Sequence, residues 1–300
     1  MRVFITGASG HIGSLVVREL LDHGHQVTGL ARSDASAASI AAAGGQVVRG
    51  SLDDVDVLAD AAAQADGVIH LAFKHDFADY GGAAETDVKA VEAIGASLAG
   101  SGKPFVNTSG TAMLATGSSS ALATEVTPAH PQGLRVASEN ATLALAGRGV
   151  RASVIRLAPT VHGPADHHGF IPTLISNARK TGQAVYVGDG TNRWPAIHDV
   201  DAARLYRLAL ESAPAGSMLH GAAEEGVPFR DIAEAIGQQL GVPAVSVSPE
   251  AAFEQLGFIG WVAALDNPTS SAITRRLLGW TPEQPTLLED LAAGHYFAVR

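Results

Sequence analysis

Cysteine is absent from this 300-residue sequence, which excludes thiol nucleophiles, disulfides and thiolate metal sites. The absence suits a reducing compartment, and we expect a cytoplasmic protein. No apolar run approaches the roughly 18 residues that a membrane span requires, and Gly7 ends the first apolar run too early for a signal peptide. The net charge of -10 disfavours nucleic acids and anionic membranes as partners.

Apolar residues form 46% of the sequence, enough for a sizeable core. Short β-branched and aromatic runs alternate with segments of helical periodicity through the first half of the chain. The predicted strands are residues 2–6, 26–30, 46–49, 68–71, 105–108 and 152–157, and the predicted helices are residues 12–21, 35–43, 55–65, 86–98 and 134–146. This alternation predicts an α/β fold with a doubly wound parallel sheet.

A glycine-rich turn joins the first predicted strand to the first predicted helix, where residues 6–13 read TGASGHIG. Gly7 permits a tight turn, Gly10 lets the backbone approach a pyrophosphate, and Gly13 lets the helix pack closely on the strand. The helix start offers free N–H groups and a positive dipole end to phosphates. The turn therefore predicts dinucleotide binding, and the other residues expected to contact the cofactor here are Ser9, His11 and Ile12.

The spacing TGxxGxxG resembles that of the extended short-chain dehydrogenases, which include nucleotide-sugar epimerases and dehydratases. Further matches are HLA at residues 70–72, Thr108-Ser109 at the catalytic Ser/Thr position, RLAPTVHGP at residues 156–164, and GDGT with HDVD at residues 188–191 and 198–201. The resemblance reaches to about residue 211. It implies a Rossmann sheet, a nicotinamide cofactor, and a homodimer formed through the helices at residues 86–98 and 134–146.

The domain organisation follows from a change near residue 159, after which the alternation weakens and proline becomes common. We predict an NADP-binding Rossmann domain over residues 1–158, to which residues 196–221 return. Residues 159–300 are predicted to form a smaller, α-rich substrate-binding domain, with helices at residues 228–240, 249–256 and 285–293.

The end of the second strand predicts which cofactor binds. Enzymes of this fold that use NAD place Asp or Glu there, whereas those that use NADP place Arg nearby. Arg32 and Ser33 occupy this place and favour NADP(H) over NAD(H), although Asp34 competes as the acidic residue. The resemblance implies that Leu52 and Asp53 flank the adenine, with Asp53 as a helix cap in the alternative. Other cofactor contacts are expected at Leu71, Ala72 and Phe73.

The catalytic Tyr-x-x-x-Lys of the resembled family is missing, because none of the four tyrosines has a lysine four positions later. Alignment of Ser138 with the family's YxxSK pattern puts Arg135 at the tyrosine position and Glu139 at the lysine position. This departure puts the usual alcohol–ketone chemistry in doubt, but not cofactor binding. The remaining candidates for catalysis are Ser109, Lys74, Arg135 and His130.

The predicted substrate contacts are His162, which replaces the tyrosine of the family's YGP segment, and Arg193 and Trp194. We expect no metal site, because adjacent histidines at 167–168 lack ligand spacing. The function expected is NADPH-dependent reduction of a small, partly apolar molecule at C=O, C=C or C=N. The alternatives are a cofactor-retaining isomerase or epimerase, and a non-catalytic NADP(H)-sensing protein.

Overall fold

The computed structural model describes residues 1–74, 79–115, 121–131, 133 and 135–298. The strands are β1 Arg2–Thr6, β2 Gln26–Ala31, β3 Gln46–Arg49, β4 Gly67–His70, β5 Pro104–Gly110, β6 Arg151–Leu157, β7 Thr160–His162, β8 Ala184–Val187, β9 Arg193–His198, β10 Ser217–Gly221, β11 Glu224–Pro228 and β12 Ala244–Val247. The helices are α1 His11–Asp22, α2 Asp34–Ala42, α3 Val55–Gln64, α4 Tyr80–Leu98, α5 Val136–Ala144, α6 Phe170–Thr181, α7 Asp199–Ser212, α8 Phe229–Leu240, α9 Pro249–Leu256, α10 Phe258–Ala263, α11 Ala272–Leu278 and α12 Leu287–Ala292. Over these described residues, no helix has the length and apolar character needed to cross a membrane.

The central sheet has seven parallel strands in the order β10-β6-β5-β4-β1-β2-β3. The predicted doubly wound parallel sheet is confirmed. The strand order reverses between β4 and β1, and ligands of such sheets bind at the carboxyl ends of the strands beside this reversal. The phosphate turn follows β1, so the fold puts it at this crevice.

Different helices cover the two faces of the sheet, so β1 is buried on both sides. Val3 and Ile5 belong to a core shared with α1 and α7, whereas Phe4 belongs to a core shared with α3 and α4. This alternation is the two-residue period of a strand covered on both faces. The helix α7 packs on α1, and β10 pairs with β6.

The C-terminal region contains two small sheets as well as helices. One has the order β11-β9-β7 and the other pairs β12 with β8. The expectation of an α-rich region missed these strands because they are only three to six residues long and carry little periodicity. One helix start differs from expectation by more than two residues. The helix α4 begins at Tyr80 and not at residue 86, since Asp79 caps it by accepting a hydrogen bond from Gly82 N. The predicted start of the next helix, residue 134, lies outside the described residues.

Candidate functional site

The phosphate turn has the backbone geometry that its glycines predict. Gly7 has a φ of 73°, and a Cβ there would lie 2.8 Å from Ala72 N. A Cβ on Gly13 would lie 1.9 Å from Gly7 O, so α1 sits against the turn only because that residue is glycine. Gly10 is the N-cap of α1, and no side chain caps this end. The first N–H groups of the helix therefore remain available to an anion, which fits the pyrophosphate of a dinucleotide. Ser9 is exposed beside it, whereas His11 and Ile12 are half-buried.

The end of β2 separates the two candidate readers of the cofactor ribose. Arg32 is exposed, and within the described residues no hydrogen bond or ion pair engages its guanidinium. Asp34, the competing acidic residue, is held by the guanidinium of Arg49. Ser33 caps α2 by accepting a hydrogen bond from Ser36 N. The guanidinium of Arg32 is therefore the group at this strand end that can bind a ligand.

Lys74 is paired with a carboxylate near the end of the sheet. Its Nζ donates to Asp53 Oδ1 at 2.7 Å and to Thr86 Oγ1 at 3.3 Å. Asp53 is the residue expected beside the adenine, and the role of Lys74 as a proton donor stays a prediction. The alternative role of Asp53 as a helix cap is also wrong, because Asp54 is the N-cap of α3. Leu52 is buried next to it.

Arg135, at the tyrosine position of the missing dyad, is held in place by a buried carboxylate and a half-buried ring. Its guanidinium lies 4.5 Å from the ring centroid of Phe73, and its Nη2 lies 3.4 Å from both oxygens of Asp87. Asp87 in turn contacts His70 Nε2 at 3.1 Å. Burial alone would raise the pKa of Asp87, but the charges of Arg135 and the bond to His70 outweigh it and lower that pKa to about 2. Asp87 is thus a carboxylate, and it fixes a cation where the family has its acid.

The lysine position holds a carboxylate in a different buried pair. Arg156, on β6, donates from Nε to Glu139 Oε1 at 2.8 Å and from Nη2 to Glu139 Oε2 at 2.7 Å. Both residues are almost fully buried. This two-bond geometry is the strongest form of an ion pair between these residue types. Glu139 therefore joins α5 to the sheet and has no amine to offer a cofactor ribose.

The hydroxyl of Ser109 is a buried polar group at the carboxyl edge of the sheet. It is 3% exposed, near the end of β5, and its Oγ has no hydrogen-bond partner within the described part of the chain. A buried hydroxyl without a partner costs about 1–3 kcal/mol, so its presence at the carboxyl edge of the sheet points to a bound group that completes it. His130, in contrast, is exposed in the loop before α5, where its backbone carbonyl accepts a hydrogen bond from Gly133 N.

His11 ties the phosphate turn to the C-terminal region. Its Nε2 lies 3.1 Å from Asp199 Oδ2, and its Nδ1 lies 3.7 Å from Asp166 Oδ1. Tyr296 donates to Asp166 Oδ2 and accepts from Gly163 N. Burial raises the pKa of Asp166, and the nearby His11 opposes that rise. The contacts of Gly163 and Asp199, which belong to the matched motifs, therefore connect the C-terminal region to the phosphate turn.

The predicted substrate contacts differ in their exposure. Trp194 is fully buried, and its Nε1 donates to Val262 O at 3.2 Å, so it belongs to the core of the C-terminal region. His162 is 1% exposed and hydrogen-bonds Asp290 Oδ2 through Nδ1 at 2.8 Å, so it does not line an open cleft. Arg193 is half-buried in an ion pair with Asp266, and its substrate role stays a prediction.

Two site residues were missed by the sequence reasoning, Asp87 and Tyr80. The sequence does contain an indication of Asp87, because this charged residue lies on a helical face that is otherwise apolar. The other residues of that face are Ala83, Ala90, Val91 and Ile94. A carboxylate on a buried stripe requires a buried partner. Tyr80 was dismissed with the other tyrosines because no lysine follows it, but its ring centroid lies 5.3 Å from that of Phe73, with the two planes tilted by 47°. No pattern in the sequence indicates that contact.

Comparison with known proteins identifies the family of the chain. The family model "NAD dependent epimerase/dehydratase family" matches residues 3–219, more than half of the chain, and the chain belongs to this family. An uncharacterised protein of Schizosaccharomyces pombe is 49% identical over 99% of this chain and 100% of its own length. A 2-alkyl-3-oxoalkanoate reductase of Stenotrophomonas maltophilia is 26% identical over 100% of this chain and 92% of its own.

Among solved structures, the chain is similar in fold to a dTDP-glucose 4,6-dehydratase of Streptomyces venezuelae that has NAD bound. The TM-score is 0.79 at 22% identity, over 98% of this chain and 96% of the other. This similarity shows the fold, a doubly wound α/β sheet. The family and the relatives together indicate an enzyme of the short-chain dehydrogenase superfamily.

Proposed function

We propose that the protein is an NADPH-dependent reductase of a small, partly apolar carbonyl compound. The observation that carries the proposal is the buried Ser109 hydroxyl at the carboxyl edge of the sheet, which has no hydrogen-bond partner among the described residues. Arg135, whose guanidinium is held by Asp87, stands at the position of the family's tyrosine. Both positions are those at which the family places the groups that bind a substrate carbonyl. The relative from Stenotrophomonas maltophilia, which is named as the reductase of an oxoalkanoate, supports the same reaction class.

The phosphate turn and Arg32 would hold NADPH. When bound, NADPH would supply a hydride. The protein's own contribution is to bind and polarise the carbonyl. Ser109 can donate its hydroxyl proton in a hydrogen bond to the carbonyl oxygen, and Arg135 can stabilise the negative charge that develops there. Arg135 keeps its proton throughout, because a guanidinium does not deprotonate in proteins. We therefore propose that water supplies the proton.

The preference for NADP(H) rests on the end of β2. Arg32 is exposed and Asp34 is already paired with Arg49, so a ribose 2′-phosphate would meet a cation and not a carboxylate. The acidic acceptor for a ribose 2′-hydroxyl at this strand end would be Asp34, and Asp34 is already paired with Arg49.

The test compares two buried serines. Ser109→Ala should lower turnover of NADPH with a carbonyl substrate by about 100-fold, the loss expected for one oxyanion donor, with NADPH affinity unchanged. Ser153 is the matched control, because its hydroxyl is also buried on a strand and unbonded among the described residues, but it lies in the middle of β6. Ser153→Ala should leave turnover unchanged. Absence of NADPH oxidation by the wild-type protein across a carbonyl panel would contradict the proposal and favour a sensing protein.

A further inference from the structure

His70 is a fully buried histidine at the end of β4, and both of its ring nitrogens have partners. Its Nδ1 lies 2.8 Å from Thr6 Oγ1, and its Nε2 lies 3.1 Å from Asp87 Oδ1. Thr6 ends β1 directly before the phosphate turn, whereas Asp87 lies on α4. The imidazole therefore connects the strand that carries the turn to the helix whose carboxylate holds Arg135.

The donors and acceptors around His70 determine which ring nitrogen carries the proton. Ala72 N donates to Thr6 Oγ1 at 3.2 Å, so the hydroxyl of Thr6 still has its own proton to donate. Within the described residues, the acceptor that this proton can reach is His70 Nδ1. On the other side of the ring, the carboxylate of Asp87 can only accept, so Nε2 must be the N–H. These contacts assign His70 to the Nε2–H tautomer.

Asp87 connects the histidine to Arg135. Its carboxylate is fully buried, and Arg135 Nη2 lies 3.4 Å from each of its oxygens. The ring of Phe73 supports the guanidinium from one face, 4.5 Å away, but it accepts no directed hydrogen bond from it. The orientation of the carboxylate therefore sets where the guanidinium lies, and the N–H of His70 fixes that orientation. Functional groups keep their geometry when neighbouring hydrogen bonds hold them in this way.

We propose that His70 is a positioning residue, which holds Arg135 in place through Asp87 and is itself kept in one tautomer by Thr6. The inference rests on the proposed reductase function in one respect, namely that Arg135 meets the carbonyl oxygen of the substrate. The role requires an N–H at the place of Nε2, and it involves no proton transfer. A side chain that donates from the same place should therefore replace the histidine.

Two substitutions at His70 separate the two sides of the ring. A glutamine amide nitrogen reaches the place of Nε2, whereas the shorter asparagine amide reaches only that of Nδ1. His70→Gln therefore keeps a donor for Asp87, and His70→Asn keeps only the contact with Thr6. His220 is the matched control, because it is also fully buried near the end of a strand of the central sheet. Its Nδ1 contacts Ser270 O at 2.9 Å, outside this set of contacts.

The experiment combines turnover with two readouts that do not depend on activity. Turnover of NADPH is measured with a panel of aliphatic and aryl ketones, and NADP+ affinity is measured by calorimetry. NMR of the ring nitrogens identifies the tautomer of His70 in the wild-type protein. The NMR resonance of the Arg135 Nε–H, assigned by its loss in Arg135→Lys, reports the position of the guanidinium.

We expect the Nε2–H tautomer in the wild type. His70→Asn should lower turnover by about tenfold to 100-fold, because a misplacement of about 1 Å at a reacting centre can cost that much. It should also shift the Arg135 resonance and leave NADP+ affinity unchanged. His70→Gln should restore both turnover and the resonance to near the wild-type values. The same two substitutions at His220 should not differ from each other in either readout.

The Nδ1–H tautomer in the wild type would overturn the inference, and this measurement decides it if the variants do not fold. Equal losses of turnover in His70→Asn and His70→Gln would also overturn it, because the role would then be merely structural. If the wild-type protein oxidises no NADPH with any ketone, the proposed function fails and the Arg135 resonance decides the inference. A shift in His70→Asn alone would support the inference, and equal shifts in both variants would overturn it.

Discussion

The lysine position of α5 offers a sharp test of how this site is built. Glu139→Lys restores the residue type that the family carries there. The structure predicts that this reversal destabilises the fold, because the new ammonium would face the buried guanidinium of Arg156. Both hydrogen bonds from Arg156 to the carboxylate would be lost at the same time.

The magnitude follows from the burial of the pair. Breaking a buried ion pair by removing one partner costs about 3–5 kcal/mol, because the other charge remains uncompensated. A second positive charge adds repulsion on the order of 4 kcal/mol at 4 Å and an effective dielectric constant of about 20. Domains are stable by only about 5–15 kcal/mol, so Glu139→Lys should lose at least about 3 kcal/mol and approach global unfolding.

The assay is urea unfolding followed by the fluorescence of the buried Trp194 and Trp280. The charge-swapped double variant Glu139→Lys with Arg156→Glu should recover at least about 2 kcal/mol, since the pair is re-formed. The exposed pair on α8 is the surface control, and there Glu234→Lys should cost less than about 1 kcal/mol. A loss below about 1 kcal/mol in Glu139→Lys, or no recovery in the double variant, would refute the role assigned to this pair.

Two further predictions concern the cofactor and pH. Arg32→Ala should weaken NADP+ binding by about 1.5–3 kcal/mol and leave NAD+ nearly unchanged, and calorimetry that shows equal losses for both would exclude Arg32 as the reader of the 2′-phosphate. Asp87 has its pKa lowered to about 2 from an ordinary value of 3.8, so it stabilises the fold above pH 4 and loses that contribution as pH falls from about 4 to about 2. Its contribution is about 2 kcal/mol. Asp87→Asn should flatten the measured unfolding free energy in this window, and an unchanged slope would argue against the buried ion pair.

The fold was predictable because its signals are local. The predicted bounds of β1 and β3 match the structure, and the first helix differs by one residue at each end. These elements are set by apolar periodicity and by glycine at Gly7 and Gly13, which acts within a few positions along the chain. The short strands of the C-terminal region were missed for the same reason, since three to six residues contain too little of any period.

The site was predictable only in part, because its chemistry depends on distant partners. The exposed place of Arg32 could be predicted from its position after a strand. The contact of Lys74 with Asp53 joins residues that no local pattern relates. Trp194 was misjudged because β9 is buried along almost its whole length, so alternation could not show which side chains face a cleft.

One hydrogen-bonded chain explains why the missing dyad does not leave the site without order. Thr6, the last residue of β1, lies directly before the phosphate turn, and its Oγ1 is 2.8 Å from His70 Nδ1. His70 contacts Asp87, which in turn holds Arg135. The turn that would bind the cofactor and the cation that would bind the substrate are therefore set by the same buried chain. A tyrosine and lysine pair must change protonation as it works, whereas an arginine stays charged. Under the proposed function, the chemistry at this site is one that a fixed positive charge at the N-cap of α5 can assist, such as stabilising an oxyanion, with proton transfer left to another group.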